Sequence, residues 1–464
     1  MRKTVSFLGL IIGSALLFAL PYVSFSQARG PAVAAGFTAK VDEYMQAQTK
    51  LRRFTGSILV AREGKVLISR GYGFANAEWD IPNAPTTRFR LGSITKQFTS
   101  MVVMQLQEQG RLSVQDPICR YLSPCPESWK PVTIHHLLTH TSGIPSYTNL
   151  SDYPRKMMIP TSKEEIVVRF RDLPLEFTPG DQYKYDNSGY FLLGLIIEKI
   201  TGKPYEDVVR GQILEPLGMN ATGYDHSEAI LKRRAAGYVP SGDGLANAAY
   251  LDMAQPYAAG SLYSTVEDLL LWDQALYTEK LLHRAALDAM FTPFKSGYAY
   301  GWAIRPTSPA TFGRKQIVHG GGINGFATFI ARYPDEKATV IVLCNNEESP
   351  VGSVAADLAA ILFDAKYEIP VERKLAKVDP RIYDSYVGEY ELTPGIVLTV
   401  TREENKLMMQ ATGDPKVEVF PESEMKFFLK AFEWQITFVK DENGRVTALI
   451  LHQSGRDQTA KRIK

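Results

Sequence analysis

The sequence predicts an α/β (α+β) sandwich, in which helices flank one antiparallel sheet, followed by a small all-β barrel. Two strand patterns joined by a tight turn lie early, at residues 56–61 and 66–71, and two more lie late, at 327–333 and 338–343. Helical periodicity dominates the long segment between them. We therefore expect the two ends of this region to build one sheet, with a helical insert between them.

The helices are predicted from apolar spacing and from stop signals. Residues 37–52 form an amphipathic pattern before the first strand, and residues 93–109 form another that Gly110 ends. Further helices are predicted at residues 163–171, 190–201, 205–213, 266–277 and 353–366.

The pattern changes near residue 368. A charged stretch predicts a linker at residues 369–383, which separates a first domain at 37–368 from a second at 384–464. Seven short alternating segments between residues 387 and 452 are divided by turns that contain glycine and proline. Strands this short and this evenly spaced predict a small barrel or a sandwich.

The N-terminus has the pattern of an export signal. Arg2 and Lys3 precede an apolar run at residues 5–20, Pro21 breaks that run, and small residues follow. We predict a signal peptide at residues 1–28 and a location in the periplasm or outside the cell. A retained N-terminal membrane anchor is the alternative, and no later segment is long and apolar enough to cross a bilayer.

Composition excludes several classes of function. The 464 residues are 45% apolar and 22% charged, which is typical of folded domains. With 52 basic and 50 acidic side chains there is no global positive field, so nucleic acid is not expected as the main partner. Three cysteines are too few for a disulfide scaffold, although export permits a disulfide between Cys119 and Cys125. Free buried thiols are the equal alternative, and Cys344 is expected in the core.

Two common hydrolase signatures are missing from the sequence. There is no G-x-S-x-G, and the seven histidines include no H-E-x-x-H pair. A nucleophile elbow and a metal-dependent hydrolase therefore have little support, and no metal ligands are assigned.

The informative residues fall in three short segments, Ser93 to Lys96, Tyr185 to Asn187, and His319 to Gly321. On a helix, Lys96 lies one turn beyond Ser93 and can reach its hydroxyl. A serine is a weak nucleophile until a neighbour takes its proton. A desolvated Lys96 can take that proton, and so can a Tyr185 phenolate held beside the lysine.

Each spacing alone is weak. A second S-x-x-K occurs at Ser423 and Lys426 in a β segment, and a second Y-x-N occurs at Tyr147 and Asn149. Taken singly, the first three segments have ordinary structural explanations: a helix cap, a solvated lysine, a core aromatic and a histidine in a glycine turn.

In combination, the three segments and their flanks resemble the serine β-lactamase and penicillin-binding-protein superfamily, in particular its class C β-lactamase-like branch. The resemblance covers about residues 40–365 and also rests on residues 89–92, 112–117, 133–143, 179–180, 188–190, 217–219 and 319–326.

This resemblance implies a β-lactamase/transpeptidase-like fold and an acyl-enzyme on Ser93, with Lys96 and Tyr185 sharing the proton transfers. It further implies that Asn187 contacts substrate or Lys96. The segment His319 to Gly322 would edge the cleft, with the Gly322 N–H completing an oxyanion hole and with Gly321 beside it. No metal or organic cofactor is implied.

One departure concerns His319, where β-lactamases of this branch usually carry lysine in a Lys-Thr-Gly segment. Because histidine is only partly charged at neutral pH, we expect a weak carboxylate anchor and a small-molecule amide, peptide or ester substrate in place of efficient β-lactam hydrolysis. A peptidase for D-amino-acid or cell-wall-like peptides is favoured, and an esterase or weak β-lactamase on the same fold is the alternative. A non-catalytic sensor is the alternative from another class.

His140 is expected to be structural, and the barrel resembles a lipocalin-like module.

Overall fold

The computed structural model describes residues 33–241, 244–393, 395–413, 416–429, 434–453 and 456–464. The predicted signal peptide at residues 1–28 lies outside this part of the chain. Within the part described, none of the helices has the length and apolar character needed to span a membrane.

The first domain is organised by a six-stranded antiparallel sheet with the order β10-β11-β12-β13-β1-β2. The strands of this domain are β1 Gly56–Arg62, β2 Lys65–Tyr72, β3 Phe74–Asn76, β4 Ile81–Pro82, β5 Phe89–Arg90, β6 Gly223–Tyr224, β7 Tyr238–Ser241, β8 Gly244–Asn247, β9 Leu262–Ser264, β10 Ala303–Arg305, β11 Gln316–Ile323, β12 Phe326–Tyr333 and β13 Ala338–Cys344.

Strand β13 confirms the prediction that the two ends of the domain form one sheet. Every residue of its sequence ATVIVLC is buried, and it lies between β1 and β12. Val342 faces Ile58 on one side and Phe329 on the other. A strand with this composition is stable only when both of its faces are covered, which requires helices on both sides of the sheet.

The helices provide that cover. Helices α1 and α11 pack on one face, and α9 with the helical insert packs on the other. The helices are α1 Val33–Lys50, α2 Thr95–Glu108, α3 Ile134–Leu138, α4 Tyr153–Lys156, α5 Lys163–Arg171, α6 Asn187–Thr201, α7 Tyr205–Val209, α8 Glu215–Leu217, α9 Val266–Ala275, α10 Arg284–Met290 and α11 Val351–Leu362.

Helix α2 runs through the centre of the first domain. All of its residues from Thr95 to Leu106 are buried, including polar residues such as Lys96 and Gln97. Burying polar side chains is favourable only when they find partners, so these residues fix the helix against its neighbours.

The helix predicted at residues 205–213 is interrupted. It divides into α7, a π-helical turn at Arg210–Leu214, and α8. Pro216 has no N–H to donate to the preceding turn, and the Glu215 N–H donates to the Arg210 carbonyl five residues earlier. The apolar pattern alone does not register this change of hydrogen bonding.

The C-terminal strands form a closed antiparallel barrel, which decides between the predicted barrel and sandwich. Its strands are β14 Gly388–Thr393, β15 Ile396–Glu403, β16 Lys406–Ala411, β17 Val417–Pro421, β18 Lys426–Phe428, β19 Gln435–Lys440, β20 Val446–Gln453 and β21 Arg456–Arg462. The sequence pattern missed β21, because its residues RDQTAKR are almost all polar. That strand closes the barrel by pairing with β14 and β20.

The three cysteines lie in two environments. Cys119 and Cys125 form a disulfide across a separation of six residues, with their Cα atoms 5.4 Å apart. Cys344 is a free thiol at the end of β13, is fully buried, and bonds to Ser349 Oγ.

Candidate active site

Ser93 lies in a 3₁₀ turn, Gly92–Ile94, which leads directly into α2. Gly92 has φ +55°, and a Cβ at that position would come within 2.9 Å of the Gly322 carbonyl oxygen. Glycine is therefore required both by the left-handed backbone and by the close approach of β11. The serine is held at the point where the helix begins and the edge of the sheet passes beside it.

Lys96 follows one turn later and is fully buried. Its Nζ lies 3.1 Å from Ser93 Oγ, 2.8 Å from Asn187 Oδ1 and 3.0 Å from the Ala259 carbonyl oxygen. The three contacts hold the amine directly against the serine hydroxyl.

Burial determines the protonation of this lysine. Desolvation lowers the pKa of Lys96 to about 7, against an opposing effect of the Asp186 carboxylate. A neutral amine has two N–H groups and one lone pair. It can donate to Asn187 and Ala259 while it accepts the proton of Ser93, so the contacts match a base poised on the serine.

Asn187 is the first residue of α6, and two residues of a preceding loop fix its orientation. Its Nδ2 donates to Thr148 Oγ1 at 3.0 Å, and its backbone N–H donates to Ser146 Oγ at 3.0 Å. With Nδ2 committed to Thr148, Oδ1 is left to accept from Lys96. Sequence reasoning missed Ser146, Thr148 and the Ala259 carbonyl, because nothing in their local pattern indicates a distant lysine.

Tyr185 lies with its ring 4.9 Å from Lys96 Nζ, measured to the ring centroid. Burial raises the pKa of Tyr185, and the nearby Ser93 hydroxyl offsets this only in part. The Oη is buried and makes no hydrogen bond of ordinary geometry to the described residues. The group is therefore a neutral phenol, which argues against the phenolate alternative and leaves its proton free to be donated.

His319 differs from the expectation of a partly charged anchor. Its Nδ1 lies 2.6 Å from the Gly320 carbonyl oxygen, and its Nε2 lies 2.8 Å from the Tyr298 hydroxyl. Desolvation, together with the smaller effect of the Lys96 charge, lowers the pKa of His319 to about 3. A neutral ring with both nitrogens engaged supplies no positive charge for a substrate carboxylate, so the carboxylate anchor is weaker still than a partly charged histidine would make it.

The glycines after His319 leave an open edge beside Ser93. Strand β10 pairs only with Gln316, Ile317 and Val318, so β11 extends beyond it. A Cβ on Gly321 would collide with the Leu91 carbonyl oxygen and with Thr328 Oγ1, whereas Gly322 is exposed. The backbone of this segment thus reaches the serine turn without side chains between them.

The second Y-x-N of the sequence lies elsewhere in the fold. Tyr147 is buried in the helical core, where its hydroxyl donates to the Gln255 carbonyl oxygen at 2.6 Å. By contrast, His140 proves to be in contact with Tyr185, at 4.1 Å between ring centroids.

No group of three or more His, Cys, Asp or Glu side chains in the described ranges has an arrangement that can hold a metal ion. A cavity of about 540 Å³ is lined by Lys163, Glu198, Tyr224, Asp252, Tyr257 and neighbouring residues, and Ser93 and Lys96 are not among them. A buried amine against a serine, on a sheet flanked by helices, defines the class of serine hydrolases.

Comparison with known families agrees with this class. A family model described as Beta-lactamase matches residues 37–364, and one described as a domain of unknown function (DUF3471) matches residues 372–462. Because the first match spans more than half of the chain, the protein belongs to the beta-lactamase family.

Individual relatives support the assignment. A penicillin-binding protein of Bacillus subtilis (strain 168) is 32% identical over 439 residues, which is 89% of this chain and 96% of the relative. A teichoic acid D-alanine hydrolase of Staphylococcus aureus is 28% identical over 273 residues, 58% of this chain and 66% of the relative. The solved structure of an octameric penicillin-binding protein homologue from Pyrococcus abyssi is 28% identical, with TM-score 0.66, and the match covers 91% of this chain and all of that one.

Proposed function

We propose that this protein is an exported serine hydrolase that cleaves amide or ester bonds through an acyl-enzyme on Ser93. The observation that carries the proposal is the position of Lys96 Nζ, 3.1 Å from Ser93 Oγ, with its other two contacts satisfied by Asn187 and Ala259. A base within hydrogen-bond reach of a serine, with a pKa near neutrality, is what nucleophilic catalysis requires.

In the acylation step, Ser93 Oγ attacks the substrate carbonyl carbon while Lys96 accepts the hydroxyl proton. The N–H groups of Ser93 and Gly322 would stabilise the negative oxygen that forms. Collapse of this intermediate breaks the bond to the leaving amine or alcohol, which receives a proton from Tyr185. The Lys96 proton then restores Tyr185. A water molecule repeats the sequence on the acyl group and releases Ser93.

The favoured substrates are D-amino-acid or cell-wall-like peptides and their esters. The open edge of β11 beside Ser93 would let a substrate backbone pair with residues 320–322. The similarity to a relative described as a teichoic acid D-alanine hydrolase supports D-configured acyl groups.

Esterase activity is the second candidate, and His319 favours it. A buried neutral histidine offers no charge to a free substrate carboxylate. Esters and amides without a free carboxylate do not need a positive charge at His319, so they bind as well to a neutral ring. Efficient hydrolysis of β-lactams, which carry the carboxylate, is not expected.

A non-catalytic sensor is disfavoured by the same geometry. Such a protein has no need to keep a desolvated amine against a serine hydroxyl, an arrangement that costs folding free energy. A ligand-binding barrel is disfavoured because Tyr386, Tyr390, Phe427 and Phe438 are buried in the barrel core, where Tyr386 and Phe438 stack at 4.1 Å.

Export and the division into domains belong to the proposal as well. The leader pattern at residues 1–28 supports a periplasmic or extracellular location. The first family match ends at residue 364 and the second begins at residue 372. These limits support a boundary near the predicted linker at 369–383.

Intact mass after incubation with a fluorophosphonate, and separately with a labelled penicillin, tests the proposed function, with Ser93→Ala as the control. We expect fluorophosphonate to add one adduct to the wild type and none to the variant. Labelling by penicillin as well would favour the peptidase, and labelling by fluorophosphonate alone would favour the esterase. No adduct with either reagent would overturn the proposal.

A further inference from the structure

His140 is a buried histidine that the proposed mechanism does not use. It follows helix α3, is fully buried, and has φ +57°, a backbone conformation that is uncommon for a residue with a side chain. A strained backbone at a buried polar residue persists only when surrounding contacts hold it, and these contacts are informative.

Its contacts surround Tyr185 on three sides. The backbone N–H of Lys184 donates to the His140 carbonyl oxygen at 3.0 Å, and the backbone N–H of Asp186 donates to His140 Nδ1 at 3.2 Å. The imidazole ring itself lies 4.1 Å from the Tyr185 ring. One residue thus holds the amides before and after Tyr185 and one face of its ring.

The protonation of His140 follows from these bonds. Nδ1 accepts from the Asp186 N–H, so the ring proton is on Nε2, which is buried and has no hydrogen-bond partner in the described part of the chain. Burial lowers the pKa of His140 against the opposing effect of the Asp186 carboxylate, whose Oδ2 lies 3.7 Å from Nδ1. The ring is therefore a neutral acceptor, and it adds no positive charge beside the lysine.

We propose that His140 is a positioning residue that fixes the phenol of Tyr185 for proton transfer to the leaving group. This inference rests on the proposed function, in which Tyr185 is the proton donor. Since the Tyr185 hydroxyl makes no regular hydrogen bond of its own, its position depends on backbone and ring contacts. Of the neighbouring rings, His140 at 4.1 Å lies nearer than Tyr298 at 6.2 Å and His319 at 6.4 Å.

Two variants separate these contacts. His140→Asn keeps an acceptor near the place of Nδ1 and tolerates the positive φ, but it removes the ring that packs on Tyr185. His140→Phe keeps a ring and leaves the Asp186 N–H without an acceptor. Should one variant fail to fold, as judged by circular dichroism and thermal melting, the other still tests the proposal.

The measurement is the hydrolysis of p-nitrophenyl butyrate and ethyl butyrate, which share an acyl group. The nitrophenolate leaves without help, whereas ethoxide needs a proton from Tyr185. Both esters form the same butyryl-enzyme, so the comparison uses kcat/KM, which reports the acylation step. We expect kcat/KM for the ethyl ester to fall about 100-fold and kcat/KM for the nitrophenyl ester to fall about tenfold or less. Equal losses on both esters would overturn the proposal.

A double-mutant cycle with Tyr185→Phe supplies a readout that a merely structural role does not move. If His140 acts through the phenol, His140→Asn should change ethyl ester hydrolysis less than about twofold in the Tyr185→Phe background. An undiminished effect in that background would contradict the inference.

Ser93→Ala distinguishes this inference from the proposed function. Activity that survives in Ser93→Ala would overturn the proposed function and this inference with it. Activity that Ser93→Ala abolishes, and that both His140 variants retain on the ethyl ester, would overturn this inference alone.

Discussion

The chain contains the same four-residue spacing in two places that differ in every physical respect. Ser93 and Lys96 lie at the start of α2, where the lysine is fully buried against the serine hydroxyl. Ser423 and Lys426 lie at the turn that leads into β18, and both side chains are exposed. There Ser423 Oγ accepts from the backbone N–H of Lys426, which makes it an ordinary turn serine.

The difference shows that a serine and a lysine three residues apart are not by themselves a catalytic pair. A helix brings the two side chains to one face, and burial lowers the pKa of the amine to about 7. In the barrel, the lysine side chain extends into solvent. The chemistry comes from the environment, and matched substitutions at the two places test this.

The largest effect is expected from removing the serines. Ser93→Ala should lower kcat/KM by about 10⁴-fold or more, because the acyl-enzyme then has no nucleophile. Ser423→Ala should leave kcat/KM unchanged. Steady-state hydrolysis of p-nitrophenyl butyrate measures both variants, and comparable losses in the two would invalidate the comparison.

Replacing the lysines should give the next largest effect. Lys96→Met removes the base and should slow fluorophosphonate labelling of Ser93 by about 10³-fold. Lys426→Met is the matched control and should label at the wild-type rate. Rapid labelling of Lys96→Met would mean that another group takes the serine proton.

A buried ion pair should contribute more to the free energy of unfolding than an exposed one, just as burial distinguishes the two lysines. Arg332 on β12 and Asp273 on α9 form a fully buried pair, and Asp273→Asn should cost about 3 kcal/mol of unfolding free energy because the guanidinium is left uncompensated. On the barrel, Lys406 and Glu418 pair at 3.0 Å near the surface. Glu418→Gln should cost less than about 1 kcal/mol. Urea denaturation measures both, and similar losses would contradict the expectation.

The smallest effect concerns the pH dependence of wild-type activity. Since the proposed mechanism needs neutral Lys96, kcat/KM should fall about tenfold for each pH unit below about 7. The contribution of Lys96 to the free energy of unfolding also increases with pH. The unfolded chain, with an ordinary lysine, holds its proton to higher pH, so this group's contribution to stability rises from about pH 7 towards 10.5. A flat profile between pH 5 and 7 would refute the assigned pKa of Lys96.

The sequence predicted helix α5 of the first domain more accurately than strand β21 of the barrel. Helix α5 has the ends that its apolar spacing predicted, and a capping box of Ser162 and Glu165 fixes its start in the structure. Strand β21 was missed because its polar residues carry no alternation, and only closure of the barrel makes it a strand. Local capping is visible in the chain, whereas the pairing of Tyr390 with Arg462 in a distant strand is not.

The sequence by itself determined the fold class and brought Ser93, Lys96, Tyr185 and Asn187 forward as candidates. Apolar periodicity is a local property, so the fold class can be recognised along the chain, whereas the four residues were singled out by the family resemblance of their segments and flanks. Only the tertiary structure decided that Lys96 is desolvated, that His319 is neutral, and that His140 contacts the Tyr185 ring and bonds the Asp186 amide. Protonation depends on burial and on partners 46 to 163 positions away, and those partners meet only when the sheet and its helical insert fold together.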